Sequence, residues 1–134
     1  MTREQIYDMA PYVRTLGIEL DVIGPGEVRA HLDWAPGLTT LGGGLHGGTL
    51  MALADAAGAV CAVLNLPVGA TGTTTVESTT HFMRAVRSGA ARAVSRPLHV
   101  GRTTIVVETD VFDAGDRRCT RTTQVQAVLT APQR

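Results

Sequence analysis

Hydrophobic positions near the start of the chain follow a helical period. Between residues 3 and 15, Ile6, Met9, Tyr12 and Val13 recur at helical spacing among charged residues. This pattern is typical of an amphipathic helix that lays one face on a core. We therefore predict one short N-terminal helix across this segment.

The next apolar positions follow the pattern of two β-strands joined by a turn. Residues 18–23 form an apolar-rich run, GPGE is a turn signal, and apolar side chains alternate with polar ones over residues 28–34. Residues 35–45 then contain a proline and three consecutive glycines. That composition predicts a flexible loop without a regular element.

Residues 46–65 are apolar around nearly the whole helical circumference, which predicts a buried helix with a sheet wrapped around it. Four strand-like segments follow, at residues 73–82, 90–99, 103–113 and 118–130. The sequences SGA, HVGR and DAGDR are predicted as hairpin turns between them. Because only one helix interrupts the strands, we expect an α+β fold: an antiparallel sheet around a long central helix, in one domain over residues 1–134.

Composition removes several classes of function. The formal net charge is zero and no basic block is present, which argues against nucleic acid and anionic membrane surfaces as partners. The two cysteines match no metal-ligand spacing, so we predict no metal site and a reduced, cytoplasmic protein. The N-terminus lacks the apolar segment of a signal peptide, and the apolar run at residues 50–66 carries an acid, so no membrane span is expected.

That acid, Asp55, is the main candidate for chemistry. It lies in the predicted buried helix, and residues 50–66 contain no basic side chain to pair with it. An unpaired buried carboxylate is costly or has a shifted pKa, so a partner from outside the helix is expected. Either Asp55 is structural and bonds to backbone or threonine hydroxyl groups, or it belongs to a functional site.

Glycines crowd the predicted start of the same helix, in the sequence GGGLHGG. Free N–H groups at a helix start polarise a carbonyl oxygen or hold an anion, although the glycines would equally serve only to permit a tight helix entry. Neither GxxxxGK[ST] nor GxGxxG in a βαβ context is present, which makes nucleotide binding improbable. Asp55 follows Gly47 by eight residues, or about 12 Å of helix. Both would reach one atom in a two-fold dimer with antiparallel helices.

A threonine-rich strand supplies the other polar candidates. In a regular strand, Thr73, Thr75, Glu77 and Thr79 share one face, and the intervening residues share the other. Such a run is often no more than β-propensity.

Four short motifs together resemble the hotdog-fold acyl-CoA thioesterases of the phenylacetate-pathway type. They are His46-Gly47-Gly48, Leu53-Ala54-Asp55, Thr75-Val76-Glu77 and Phe82-Met83-Arg84, and the resemblance extends over residues 18–129. It implies the hotdog fold and hydrolysis of an acyl-CoA thioester.

The resemblance also implies roles for individual residues. The Gly47 N–H would polarise the thioester carbonyl, and Asp55 of the partner subunit would act as general base or nucleophile. His46 would orient the loop or the thioester, or be purely structural, and Thr75 would help to position the attacking water. Substrate contacts are expected from Thr40, Gly48, Thr74, Arg84 and Arg102, and the candidates for the CoA phosphates are Arg84, Arg87 and Arg102.

The implied enzyme is a homodimer or homotetramer and needs no separate cofactor, since CoA is part of the substrate. Two departures stand out: Thr40 replaces the family's usual asparagine, and Ala85 replaces the proline after Arg84. Three alternatives remain: an acyl-CoA-binding module without turnover, an enoyl-thioester hydratase, and a fold used only for assembly. The Asp-x(4)-His spacing of the hydratases is absent, and an assembly role leaves Asp55 without a purpose.

Overall fold

The chain begins with two short helices, where the hydrophobic period predicted one. The computed structural model describes residues 1–132, and it places α1 at Arg3–Met9 and α2 at Pro11–Thr15. Ala10 between them has a non-helical backbone (φ −133°, ψ 73°), and Pro11 opens α2. Proline lacks an N–H and disfavours helical geometry in the preceding residue, which is why the predicted single helix is broken here.

One antiparallel sheet contains all the strands of the described residues. Its strands are β1 (Glu19–Ile23), β2 (Val28–Asp33), β3 (Ala70–Phe82), β4 (Ala90–Val100), β5 (Thr104–Phe112) and β6 (Arg118–Thr130). Their spatial order is β1-β2-β4-β5-β6-β3. The predicted α+β architecture is confirmed, and the predicted strand segments match the observed ones closely.

The connection between β3 and β4 differs from the prediction. HVGR and DAGDR join paired neighbours, β4 with β5 and β5 with β6. SGA lies between β3 and β4, which are not neighbours, because β3 pairs with β6 at the far edge of the sheet. SGA is therefore part of a crossover and not a hairpin turn. Local turn composition reports a change of direction but does not identify the pairing partner.

The central helix, α3, extends over Gly47–Leu64 and packs on the inner face of the sheet. Its sheet-facing side is rich in alanine, and Leu53, Ala54 and Ala57 are fully buried. The prediction of burial on all sides is wrong along one stripe, where Gly48, Met51 and Asp55 are exposed in the single chain. By length and composition α3 would pass for a membrane span, but half of it is buried, as in a core helix.

The predicted loop at residues 35–45 contains some regular structure. A 3-10 helix forms at Pro36–Leu38, and Thr39 bridges Leu45 in antiparallel fashion. The turn between them brings Thr40 N–H to the Gly44 carbonyl at 2.9 Å. Gly42 has φ 86° and Gly43 has φ 81°, a conformation that favours glycine, so the glycine run is needed for the turn.

Candidate active site

His46 caps the start of α3. Its Nδ1 accepts a hydrogen bond from the Gly48 N–H at 2.8 Å, and its carbonyl accepts from Thr49 and Leu50. The Gly47 N–H, at the first helical position, has no acceptor among residues 1–132. The helix start therefore presents one free donor, from Gly47, while the Gly48 N–H is already engaged.

Close contacts explain both glycines after His46. A Cβ at Gly47 would lie 3.3 Å from Cε1 of Phe82, and one at Gly48 would lie 3.0 Å from Nδ1 of His46. Both distances are tighter than ordinary carbon contacts, so a side chain at either position would displace its neighbour. The glycines thus keep the capping histidine and the Phe82 ring tightly packed around the helix start.

The loop before the helix is held in place by its own contacts. Trp34 Nε1 donates to the Gly43 carbonyl at 2.9 Å, and Arg87 donates to the Gly42 carbonyl at 2.6 Å. Thr40, predicted to contact substrate, lies on the exposed turn that precedes these two glycines. Its backbone is fixed by the turn, so the position that usually carries asparagine is ordered despite the substitution.

Asp55 lies on the open stripe of α3, with its carboxyl group in a groove. Gln124 Nε2 donates to Asp55 Oδ1 at 2.7 Å. Although Asp55 is exposed at the surface of the single chain, partial burial of its carboxyl group in the groove raises its pKa above the ordinary value, and the hydrogen bond from Gln124 opposes that shift. The hydrogen-bond donor to Asp55 is thus a glutamine amide from β6. A purely structural aspartate was expected to bond to the backbone or to a threonine hydroxyl instead.

The groove beside Asp55 is largely apolar and has a volume of about 540 Å³. One wall is the open stripe of α3, and the other comes from the N-terminal helices and the residue before β1. Its lining residues are Ile6, Ala10, Tyr12, Val13, Ile18, Gly48, Met51, Ala52, Asp55, Ala56, Ala59, Val60 and Ser78. A carboxylate at the edge of an apolar groove of this size fits an apolar ligand with one polar reacting group.

Two glutamines of β6 were missed by the sequence analysis. Gln124 and Gln126 are buried on the inner face of the strand, and Gln126 Nε2 donates to Thr75 Oγ1 at 2.7 Å. The usual alternation would place apolar residues inward, as in β5, yet β6 buries polar ones. A row of threonine and glutamine at every second position of a central strand is the signal that would have identified them.

A β-bulge changes which threonines share a face. Thr75 pairs with Gln126, but Glu77 pairs with Val125, so the register shifts at Val76. Thr75 and Ser78 therefore share the helix-facing side, where the regular pattern placed Thr75 with Glu77. That part of the prediction is wrong beyond the bulge. Thr74 lies on the opposite face from Thr75, so the structure does not bring these two predicted site residues together.

The predicted arginines lie at different ends of the sheet. Arg84, Arg87 and Arg117 line a cavity of about 380 Å³ together with Asp113, and Arg84 also borders a cleft that includes Gly47. Arg102 lies in the turn between β4 and β5, at the other end of β4. Of the three predicted arginines, only Arg84 borders the cleft that includes Gly47. No group of three His, Cys, Asp or Glu side chains suited to a metal comes together in residues 1–132.

Fold and site together define a hotdog enzyme: a curved antiparallel sheet around a long helix that carries a carboxylate. The family model described as the thioesterase superfamily matches residues 42–120. The chain belongs to this superfamily, and it is a thioester hydrolase.

Curated relatives and a solved structure agree with that assignment. The proofreading thioesterase EntH of Cronobacter sakazakii is 37% identical over 110 residues, covering 82% of this chain and 74% of that protein. EntH of Cronobacter turicensis is 33% identical over 125 residues, covering 87% and 85%. The crystal structure of thioesterase HI1161 from Haemophilus influenzae superposes with a TM-score of 0.89 at 25% identity, covering 99% of this chain and 94% of that one.

Proposed function

We propose that this chain hydrolyses acyl-CoA or aryl-acyl-CoA thioesters to the free acid and CoA, at a site shared between two subunits. The Gly47 N–H of one subunit polarises the thioester carbonyl. Asp55 of the other subunit acts as general base or nucleophile. The observation that supports this most directly is the pairing of a free helix-start donor with a carboxylate on the open stripe of the same helix.

The spacing of these two groups favours a shared site. Gly47 and Asp55 are eight residues apart on α3, which corresponds to about 12 Å along the axis. A carbonyl bound at the Gly47 N–H is therefore out of reach of Asp55 in the same chain. Antiparallel packing of two α3 helices about a two-fold axis would bring each Asp55 toward the other helix start.

The edge of the sheet offers a surface for such a dimer. β3 is 13 residues long, it lies at the edge of the sheet, and most of its residues are exposed in the single chain. A long unprotected edge strand is a ready template for pairing with another chain. Pairing of β3 with its copy would continue the sheet and place the two α3 helices side by side. A homodimer, or a homotetramer of two dimers, follows from this proposal.

In the hydrolytic route, Asp55 takes a proton from water as the water oxygen attacks the thioester carbon. The Gly47 N–H stabilises the negative charge that develops on the carbonyl oxygen. The tetrahedral intermediate then collapses, the C–S bond breaks, and the CoA thiolate takes the proton from Asp55, which returns to its carboxylate form. Because Thr75 Oγ1 accepts from Gln126, its own O–H remains available to hold the water. Direct attack by Asp55 would give an anhydride intermediate instead.

Binding of the CoA part is assigned to the arginine-lined cavity. Arg84 borders both this cavity and the cleft at Gly47. Guanidinium groups hold phosphates through paired, charge-assisted hydrogen bonds. The acyl group would occupy the apolar groove beside Asp55. Nothing in the proposal requires a further cofactor, a nucleic acid or a membrane, and the reduced cysteines are in keeping with a cytoplasmic enzyme.

Release of free thiol from a panel of acyl-CoA esters tests the activity. The panel should include aryl-acetyl, benzoyl and straight-chain acyl groups. Turnover of at least one ester is expected. Tight binding of CoA esters without thiol release from any of them would refute the enzyme and support the acyl-CoA-binding alternative.

Mixed dimers test whether the site is shared. The variants Asp55→Asn and Gly47→Pro should each be inactive as homodimers. A hybrid of the two would hold one site with neither substitution, so mixing the subunits should restore part of the activity. Hybrids that are folded and dimeric but show no recovery would refute the two-subunit site.

A further inference from the structure

Among residues 1–132, the side chain that donates a hydrogen bond to Asp55 is that of Gln124. We propose that Gln124 is a positioning residue for the thioesterase reaction: seated against Gly58, it holds the Asp55 carboxylate in one orientation and leaves the second oxygen for the reacting water or thioester. This inference rests on the proposed function of Asp55. It assigns roles to Gln124 and Gly58, which lie outside the motifs of the family resemblance.

The glutamine is fully enclosed. Its exposed fraction is 0%, and it projects from the middle of β6 toward α3. Its Nε2 reaches Oδ1 of Asp55, while its Oε1 points at the backbone of α3 beside Gly58 and has no hydrogen-bond partner among residues 1–132. With the reverse amide orientation, Oε1 would face the carboxylate and repel it. The enclosed amide therefore serves as a fixed donor to Asp55.

Gly58 makes this arrangement possible. A Cβ at position 58 would overlap Oε1 of Gln124 and lie 3.1 Å from its Cδ. Glycine inside a helix is destabilising relative to alanine, so its presence in the middle of α3 calls for a local reason. The space it provides for the Gln124 amide is that reason. Position 58 lies three residues after Asp55, so the Gln124 amide packs against the helical turn that carries the carboxylate.

The surroundings of Asp55 make the amide its main polar contact. Gln124 of β6 donates to the carboxyl group, and the groove beside it is lined by two polar side chains, Ser78 of β3 and Tyr12 of α2, with apolar residues making up the rest. No lysine, arginine or histidine is among the residues that line the groove. Among residues 1–132, the Gln124 donor is the hydrogen bond that opposes the effect of partial burial on the pKa of Asp55.

Gln126 offers a matched control on the same strand. It is equally buried and donates through the same amide atom, but its acceptor is the hydroxyl of Thr75, which does not titrate in the working range. Substituting methionine for either glutamine keeps an unbranched side chain of similar length and removes the donor. Gln124→Met thus loses a hydrogen bond to the Asp55 carboxylate, whereas Gln126→Met loses a hydrogen bond to the Thr75 hydroxyl.

The test compares Gln124→Met with Gln126→Met by pH profile. Loss of one hydrogen bond to a charged carboxylate predicts about a ten- to hundredfold fall in kcat/KM at the plateau for Gln124→Met. The acidic limb of the kcat/KM profile of Gln124→Met should move to higher pH, because a carboxylate without its donor takes up a proton more readily. Gln126→Met should leave the position of that limb unchanged. An unmoved limb in Gln124→Met would overturn the proposal.

A double-mutant comparison separates positioning from general packing. In an Asp55→Asn background, Gln124→Met should cause little further loss of residual activity, since its effect passes through the carboxylate. An undiminished further loss would mean that Gln124 acts elsewhere. Gly58→Ala provides a second variant with both functional side chains intact. It should reproduce the shift of the acidic limb, and a wild-type profile would contradict the role assigned to Gly58.

Titration of the Asp55 carboxyl by ¹³C NMR keeps this proposal distinct from the proposed function. The measurement needs no turnover, and the Asp55→Asn spectrum assigns the resonance. A higher Asp55 pKa in Gln124→Met than in the wild type supports the positioning role even if no acyl-CoA ester is hydrolysed. Equal values would refute that role even in a fully active thioesterase.

Discussion

Two aspartates of this chain have opposite environments. Asp113, in the turn after β5, accepts hydrogen bonds from the backbone N–H groups of Gly115 and Arg117 and from the Arg117 side chain, at 2.9–3.0 Å. The Arg117 N–H, with the charge of its side chain, lowers the pKa of Asp113. Asp55 has one amide donor and an apolar groove, and burial raises its pKa.

The difference separates a structural carboxylate from a reactive one. Asp113 has its oxygens occupied by a turn that depends on it, so little is left to offer a ligand. Among residues 1–132 no donor reaches the second oxygen of Asp55, and the environment of this carboxylate makes it a better base. Sequence composition marked Asp55 as unusual because its neighbours are apolar, and the hydrogen-bond inventory of the two sites gives that impression a physical basis.

The largest expected effect is on catalysis. Asp55→Asn should lower kcat by about 10²–10⁴-fold, the range over which a positioned acid or base contributes. Asp113→Asn should keep wild-type kcat, because its carboxylate does not reach the groove. Thiol release under saturating acyl-CoA measures both. The comparison fails if Asp55→Asn retains full activity, or if Asp113→Asn loses as much activity while still folded.

A second effect concerns the cavity that Asp113 shares with Arg84 and Arg87. Arg84→Gln should raise KM for an acyl-CoA about tenfold, since hydrogen bonds to charged groups contribute roughly 1.5–3 kcal/mol and this side chain is exposed. KM for the matching acyl-pantetheine, which lacks the nucleotide phosphates, should not change.

Arg14→Gln is a suitable control, because Arg14 is exposed and pairs with Glu4 on the N-terminal helices. Equal KM changes for the two thioesters in Arg84→Gln would mean that Arg84 does not bind the nucleotide part. A KM change of similar size in Asp113→Asn would show that Asp113 is more than a turn residue, and would weaken the contrast with Asp55.

The sequence was sufficient for the fold class and for most of the elements because the signals for them are local. Alternation placed β2, β5 and β6 closely, and the apolar run at residues 46–65 placed α3. The helix break at Pro11 and the hairpin wrongly predicted at SGA show two limits of prediction from sequence. One proline outweighed a favourable period, and strand pairing is decided by contacts that are distant along the chain.

The candidate site was only partly predictable. Asp55, Gly47 and His46 were reached from composition and motif, and the structure places His46 as a helix cap. Gln124 was missed because polar residues in a central strand look outward-facing by ordinary alternation. Gly58 was missed because its role depends on a side chain 66 residues later, the Gln124 amide. Such pairings become visible only when the sheet has been folded around the helix.

The smallest expected effect is on the pH dependence of stability, where the two aspartates should act with opposite signs. The folded state holds the Asp55 proton more tightly than the unfolded chain does. Wild type should therefore lose stability relative to Asp55→Asn as the pH rises from the ordinary aspartate value of 3.8 through the raised folded pKa. For Asp113 the folded pKa is lowered, so wild type should lose stability relative to Asp113→Asn as the pH falls below 3.8.

Urea unfolding in small pH steps, at one fixed protein concentration because subunit association contributes to stability, measures both difference curves. The Asp55 curve should change above pH 3.8 and the Asp113 curve below it, with opposite slopes. Two curves of the same sign would show that the carboxylates share one kind of environment in the assembled protein. In that case the effect of partial burial on the Asp55 pKa would be offset by donors that the partner subunit supplies.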